Sequence, residues 1–366
     1  MAGTAPDNSV LRYSIDASRF KYASRYDRLL NLLFYAKELP SNLYTQMNMS
    51  YVNFRKAVSI LKQRGILKKI HRDGAIGYIL TSEGKSLIHK PNYMMYRDCL
   101  EEEARQYDIV HRLRKRQFAY LYSLFDRIGI PYESFRKPII NNSMLCDDKV
   151  YFYTAQDFKR LLGASSTTFR GSRLLGFLIG SDQVIPVYRT NRMLKTFANF
   201  EALVPIFLSS YFSTPATTAL LICDDEDAAA DITTQIISNR QNDPNAGVNT
   251  AQYKEFYILP SDDNFLSRFE DLYTDYFHAE QQIIIDYGID TSDYDSRGRR
   301  RFKIGTGYLG DSPVLVCLGN INTVTLNYFI RNAEINNQQN YIFCTPRDIH
   351  FIKRITNGKP VQLIVI

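Results

Sequence analysis

The stretch Ala57-Val58-Ser59-Ile60-Leu61-Lys62-Gln63-Arg64-Gly65-Ile66-Leu67, continued by Gly77-Tyr78-Ile79-Leu80-Thr81-Ser82-Glu83-Gly84, decides how the first ninety residues fold. Ser50 is placed to cap a helix running to about Arg64, and Gly65 sits where a helix C-cap is expected. Two strand-like runs follow, Ile66–His71 and Gly77–Leu80, joined across Asp73-Gly74, a hairpin-turn dipeptide. Thr81 or Ser82 then caps a further helix, Glu83–His89. Upstream, Leu29, Leu30, Leu32, Leu33 and Tyr35 recur with helical spacing over Tyr26–Lys37. Pro40-Ser41 interrupts this pattern, and a short second helix is expected over Asn42–Met47.

The capped helix divides by face. At 100° per residue, Phe54, Ala57, Val58 and Leu61 fall together and are expected to pack inward. Val52, Arg55, Lys56, Ser59 and Gln63 fall opposite, with Tyr51 beside them. Charge is distributed unevenly. Residues 1–90 hold 15 Lys/Arg against 6 Asp/Glu, a net of +9 in a chain whose total is +7. A basic segment joined to a near-neutral body points to a polyanion-binding module.

Three helices followed by a two-stranded wing resemble the winged helix-turn-helix superfamily of DNA-binding domains. The Arg64-Gly65-Ile66-Leu67 and Tyr78-Ile79-Leu80-Thr81 runs carry the resemblance, which covers about 70 of the 366 residues. It implies double-stranded DNA as partner. Tyr51, Val52, Arg55, Lys56, Ser59 and Gln63 would then face the major groove, with Lys68, Lys69, His71 and Arg72 on the phosphates. Winged helices also dock proteins, and that reading stays open. The basic block Arg112, Arg114, Lys115, Arg116 extends the footprint or lies at a homodimer interface, unless it forms a plain solvated helix face. The loop run Arg299, Arg300, Arg301 is a further candidate for nucleic-acid contact.

The expected organisation is a tail over 1–24, the winged helix over 25–90, a helical linker over 91–130 that could dimerise, and an α/β domain over 131–366. In the last part, short apolar strands alternate with helical patterns, from Lys149–Tyr153 through a hairpin about Ser181-Asp182 to Val361–Ile366. A helix is expected over Asp263–Tyr276, and loops over Gln241–Thr250 and Asp290–Lys303. The fold class is α/β, with a mainly parallel sheet covered on both faces.

Several chemistries find no support. Gly84-Lys85-Ser86 lacks the P-loop glycine, because Ile79 stands in its place. No dinucleotide fingerprint follows a strand, so no cofactor is implied. The five histidines are dispersed, and no acid-x-Lys pattern of restriction nucleases falls on a strand. Asp224-Asp225-Glu226-Asp227 follows an apolar strand, where it either holds a metal or complements a helix N-terminus; no metal is assigned. Five scattered cysteines argue for a reducing compartment; with no apolar run of membrane-spanning length and no leader pattern seen at Met1–Val10, a cytoplasmic protein without membrane partners is expected.

The α/β body, with Ser172-Arg173-Leu174-Leu175-Gly176-Phe177-Leu178 and Ile185-Pro186-Val187-Tyr188-Arg189-Thr190, looks like the replication-relaxation proteins of Gram-positive plasmids and conjugative elements. That resemblance implies a role in replication, transfer or their control, with replication or transfer proteins as further partners. The leading reading is a non-enzymatic DNA-binding protein whose body oligomerises or docks partners. A metal-dependent nuclease and a ligand-sensing transcriptional regulator are the alternatives.

Overall fold

The computed structural model describes residues 25–72, 74–89, 109–133, 136–138, 149–161, 174–180, 183–190, 203–212, 217–238, 250, 252–295, 297–298, 300–301 and 304–366. The chain divides into two compact units, Met1–Ile139 with Val150–Phe152, and Ile140–Lys149 with Tyr153–Ile366. The expected tail over 1–24 lies outside the described residues.

The first unit opens with α1 (Arg25–Ala36), whose Leu29, Leu30, Leu32 and Leu33 are all buried. A two-residue strand, β1 (Leu39–Pro40), follows. The helix expected over Asn42–Met47 is only a 3-10 turn, Leu43–Thr45. The Thr45 hydroxyl donates to the Asn42 carbonyl at 3.0 Å, and Asn48 adopts a left-handed φ of 51°, so local side-chain bonding and a chain reversal stop the helix.

The second helix, α2 (Tyr51–Gln63), begins where its capping residue dictates: the Asn53 amide donates to Ser50 Oγ at 3.2 Å. It ends in a Schellman motif. Gly65 takes a φ of 71°, its amide donates to the Lys62 carbonyl, and the Ile66 amide donates to that of Leu61. The wing is β2 (Leu67–Arg72) antiparallel to β3 (Ala75–Leu80), and β1 adds to β3, giving the order β1-β3-β2. The third helix, α3 (Ser82–His89), is capped by Thr81, whose Oγ1 accepts from the Gly84 amide at 3.0 Å. A Cβ on Gly84 would lie 2.3 Å from the Ile66 carbonyl oxygen. Close helix-to-strand packing therefore explains the glycine that resembled part of a P-loop.

A long helix, α4 (Ile109–Ile128), packs along α1 inside this unit. Residues 91–108 of the expected linker lie outside the described set.

The second unit is of the α/β class and contains two sheets where one was expected. The first has the order β4-β5-β6-β7-β8 and comprises β4 (Tyr151–Thr154, of which Tyr151 and Phe152 count with the first unit), β5 (Gly176–Ile179), β6 (Val184–Arg189), β7 (Thr218–Cys223) and β8 (Glu255–Pro260). The expected hairpin is present as antiparallel β5 and β6, while β6, β7 and β8 are parallel. Helices α5 (Ala155–Leu161), α6 (Leu203–Phe212) and α7 (Glu226–Ser238) intervene. A capping box starts α5: the Asp157 amide donates to Thr154 Oγ1 and the Thr154 amide to Asp157 Oδ2.

The second sheet, of order β12-β11-β10-β9, follows helices α8 (Phe265–Glu270) and α9 (Phe277–Asp286). It contains β9 (Gly307–Leu309), β10 (Ser312–Cys317), β11 (Asn340–Cys344) and β12 (Val361–Val365), linked through α10 (Thr323–Asn336) and α11 (Ile349–Thr356). Strands β10, β11 and β12 are parallel, while β9 is antiparallel to β10. Leu326, Phe329 and Ile330 of α10 share a core with Ala230 and Ile237 of α7, Leu315 and Ile342 of the sheet, and Ile352 and Ile355 of α11. Asn322 ties the sheets together: it caps α10 by accepting from the Val324 amide, and also accepts from the Phe256 amide of β8.

The helix expected over Asp263–Tyr276 is confined to Phe265–Glu270. Asp271 is drawn away by Arg347, 2.7 Å distant, and by the Tyr276 hydroxyl at 2.6 Å. Asp275 then accepts from the Phe277 amide at 2.9 Å and starts α9, a helix that the sequence reading missed. Among the described residues, no helix is long and apolar enough to cross a membrane, and Cys223, Cys317 and Cys344 are buried free thiols.

Candidate nucleic-acid interface

Helix α2 owes its orientation to four side chains. Phe54, Ala57, Val58 and Leu61 are 0–4% exposed, so burial fixes one face and leaves the other to solvent. On that outer face, Val52, Arg55, Lys56, Ser59 and Gln63 are all exposed, as the periodicity predicts. Tyr51 stands at its edge, half exposed, with its ring 5.3 Å from Tyr44 and the Arg55 guanidinium 5.6 Å from its centroid. Tyr44 and Tyr78 both lie against the buried Phe54 ring. Burial raises the Tyr78 phenol above its ordinary pKa, Tyr51 adds to the rise, and Arg55 opposes it.

The wing continues the same charge. Lys68, Lys69 and His71 are exposed on β2, an edge strand. Arg72 belongs to β2, but its side chain lies outside the described set. Between Ser41 and Arg72 the chain carries seven Lys or Arg and no Asp or Glu. No carboxylate within this stretch competes for its cations, so the face presents a positive field to a polyanion.

The basic block of α4 does something different. Arg112 is 4% exposed and clasps Glu38, itself 2% exposed, through Nε at 3.0 Å and Nη2 at 2.9 Å. Arg116 donates to the same carboxylate at 3.3 Å and to the Ile76 carbonyl at 2.8 Å, while Arg112 also reaches the Ala75 carbonyl. Arg112 and Arg116, two of the candidates for a wider nucleic-acid footprint, thus have both guanidiniums bonded to Glu38 and to the wing backbone. A buried acid demands such partners, because an unpaired carboxylate there would cost several kcal/mol (about 3–5). A Cβ on Gly77 would lie 2.4 Å from Glu38 Oε1, so the wing strand has room for the clasp only because glycine stands there. Arg114 is exposed and Lys115 half-buried on the same helix. Sequence reasoning missed Glu38. Its signal was its isolation as the lone acid between Asp27 and Asp73.

In the second unit, Arg299 lies outside the described residues and Arg300 is exposed. Arg301 bonds Asp290 and packs over the Tyr308 ring at 4.4 Å. The acidic tract after β7 is divided among separate duties. Asp224 accepts from Arg189 at 2.8 Å, Asp225 caps α7 by accepting from the Ala228 amide at 2.7 Å, and Asp227 pairs with Arg354. Burial raises the Asp224 carboxyl above its ordinary pKa, against the pull of Arg189. Among the described residues, no group of three His, Cys, Asp or Glu side chains is arranged to hold a metal ion. A cleft of about 440 Å³ beside β10 is lined in part by Asp271, Asp275 and Glu280, a sign of charge that repels phosphates. Compared with family models, curated proteins and solved structures, the chain finds no match.

Proposed function

We propose that the first unit binds double-stranded DNA, with the outer face of α2 in the major groove and the wing along the phosphates. The observation that carries this reading is the acid-free stretch from Ser41 to Arg72, whose exposed Arg55, Lys56, Lys68 and Lys69 lie on the helix face and wing that burial turns outward. Arg, Ser and Gln on such a face have the donors and acceptors that base edges require. The wing lysines suit phosphates, which position a protein without specifying sequence. The clasp of Glu38 by Arg112 and Arg116 supports the reading by holding the wing to the helical core of the unit.

On this reading the chain is a sequence-specific DNA-binding protein of the cytoplasm, acting as a homodimer on a paired site. The resemblance of the α/β body to the replication-relaxation proteins makes the replication or transfer of a mobile element the process served, with that body engaging a second copy or a partner protein. Of the alternatives, the nuclease reading is weakened because Asp224, Asp225 and Asp227 are each committed to Arg189, the α7 amides or Arg354.

The test is fluorescence anisotropy with a labelled duplex of about 30 base pairs at about 50 mM salt, where phosphate contacts are strong. The full chain should bind, and Arg55→Ala with Lys56→Ala should weaken binding about tenfold or more while leaving the melting temperature unchanged. Absence of duplex binding by the wild type, or unaltered binding by the double variant, would overturn the reading.

A further inference from the structure

Val52 is 72% exposed in the first turn of α2, two residues after the capping Ser50. At 100° per residue it sits at the centre of the outer face, with Arg55 and Lys56 to either side and Ser59 and Gln63 about two and three turns further on. It is directly opposite the buried Leu61. An apolar, β-branched side chain therefore occupies the middle of an otherwise polar and cationic surface. Packing does not call for it there, and helix propensity disfavours it. Neighbouring Tyr51 packs beside the Tyr44 ring, with the Arg55 guanidinium over its own ring.

We infer that Val52 reads the 5-methyl group of a pyrimidine in the major groove. The inference rests on the DNA reading above and adds the chemical feature that is read. In that groove the 5-methyl group is the apolar mark on a base edge, carried by thymine and by 5-methylcytosine. The N-terminal part of a groove-entering helix is the part that meets base edges. A valine offers two methyl groups and no hydrogen-bonding atom. It gains from burying a methyl group and gains nothing from an unmethylated pyrimidine edge.

The test uses the full chain and a duplex library with a random central segment. The pool enriched by wild-type protein is re-amplified in three forms: with thymidine, with deoxyuridine in its place, and with 5-methyldeoxycytidine in place of deoxycytidine. Replacing thymine by uracil should weaken wild-type binding about fivefold per methyl group contacted. Val52→Ala, at a site too exposed to disturb folding, shortens the apolar contact and should lose most of the discrimination between the thymidine and deoxyuridine pools. If uracil is neutral and 5-methylcytosine strengthens binding in a Val52-dependent way, the methyl group read is that of cytosine and the inference stands. If wild type binds all three pools alike, or Val52→Ala keeps the discrimination, the inference is overturned and the DNA reading survives. If no pool is enriched or bound, both fail.

Discussion

Replacing Asp126 by asparagine should make the first unit more stable at alkaline pH, by an amount that the surroundings of this carboxyl set. Asp126 lies in the last turns of α4 with its side chain 9% exposed. Burial is the largest influence and raises its pKa from 3.8 to about 7; Glu133, fully buried nearby, adds to the rise. Arg28, whose Nε lies 3.6 Å from Oδ2, opposes it, as do the Tyr132 hydroxyl and Arg136. Between pH 3.8 and about 7 the native unit holds a proton that the unfolded chain releases. The stabilisation from that proton is complete below 3.8, declines as pH rises, and is gone above about 7. At about 1.4 kcal/mol per pH unit, the window amounts to about 4 kcal/mol as an upper bound.

The carboxamide introduced by Asp126→Asn would stay neutral throughout. The stability of this variant relative to wild type should therefore rise by about 2–4 kcal/mol between about pH 4 and pH 8. The two units need not unfold together. The readout is accordingly hydrogen exchange of α1 and α4 amides in a urea series at each pH. A variant-minus-wild-type difference that does not change with pH would refute the argument, because it would mean that Asp126 ionises in place without penalty.

Two further outcomes test the wing. Gly77→Ala would set a Cβ 2.4 Å from Glu38 Oε1, and should cost about 1–3 kcal/mol by forcing the clasped carboxylate to shift; unchanged denaturation of the first unit would show that the clasp is loose. Replacing Lys68, Lys69 and Arg72 by alanine together should flatten the log–log dependence of duplex affinity on salt by up to about three, at about 0.9 per phosphate contact, while leaving base preference intact. Anisotropy titrations at several salt concentrations measure this, and an unchanged slope would remove the wing from the interface.

The sequence by itself determined those features whose causes lie within a few residues. Ser50 starts α2 and Gly65 ends it because the cap and the Schellman bonds are local, joining Asn53 to Ser50 and Ile66 to Leu61. The split of α2 into a buried face of Phe54, Ala57, Val58 and Leu61 and an outer basic face follows from helical period alone. The β5–β6 hairpin was legible for the same reason. Tertiary structure decided what depends on partners far along the chain. Arg112 reads as a surface cation until folding brings it to Glu38, 74 residues away, where two buried opposite charges must meet or neither is tolerated. Asp271 reads as a helix residue until Arg347 claims it. Alternating strands and helices fit one sheet or two equally well, since each strand's apolar run records only that it is buried. The division came from α7 and α10, whose apolar faces complete a core shared with the second sheet.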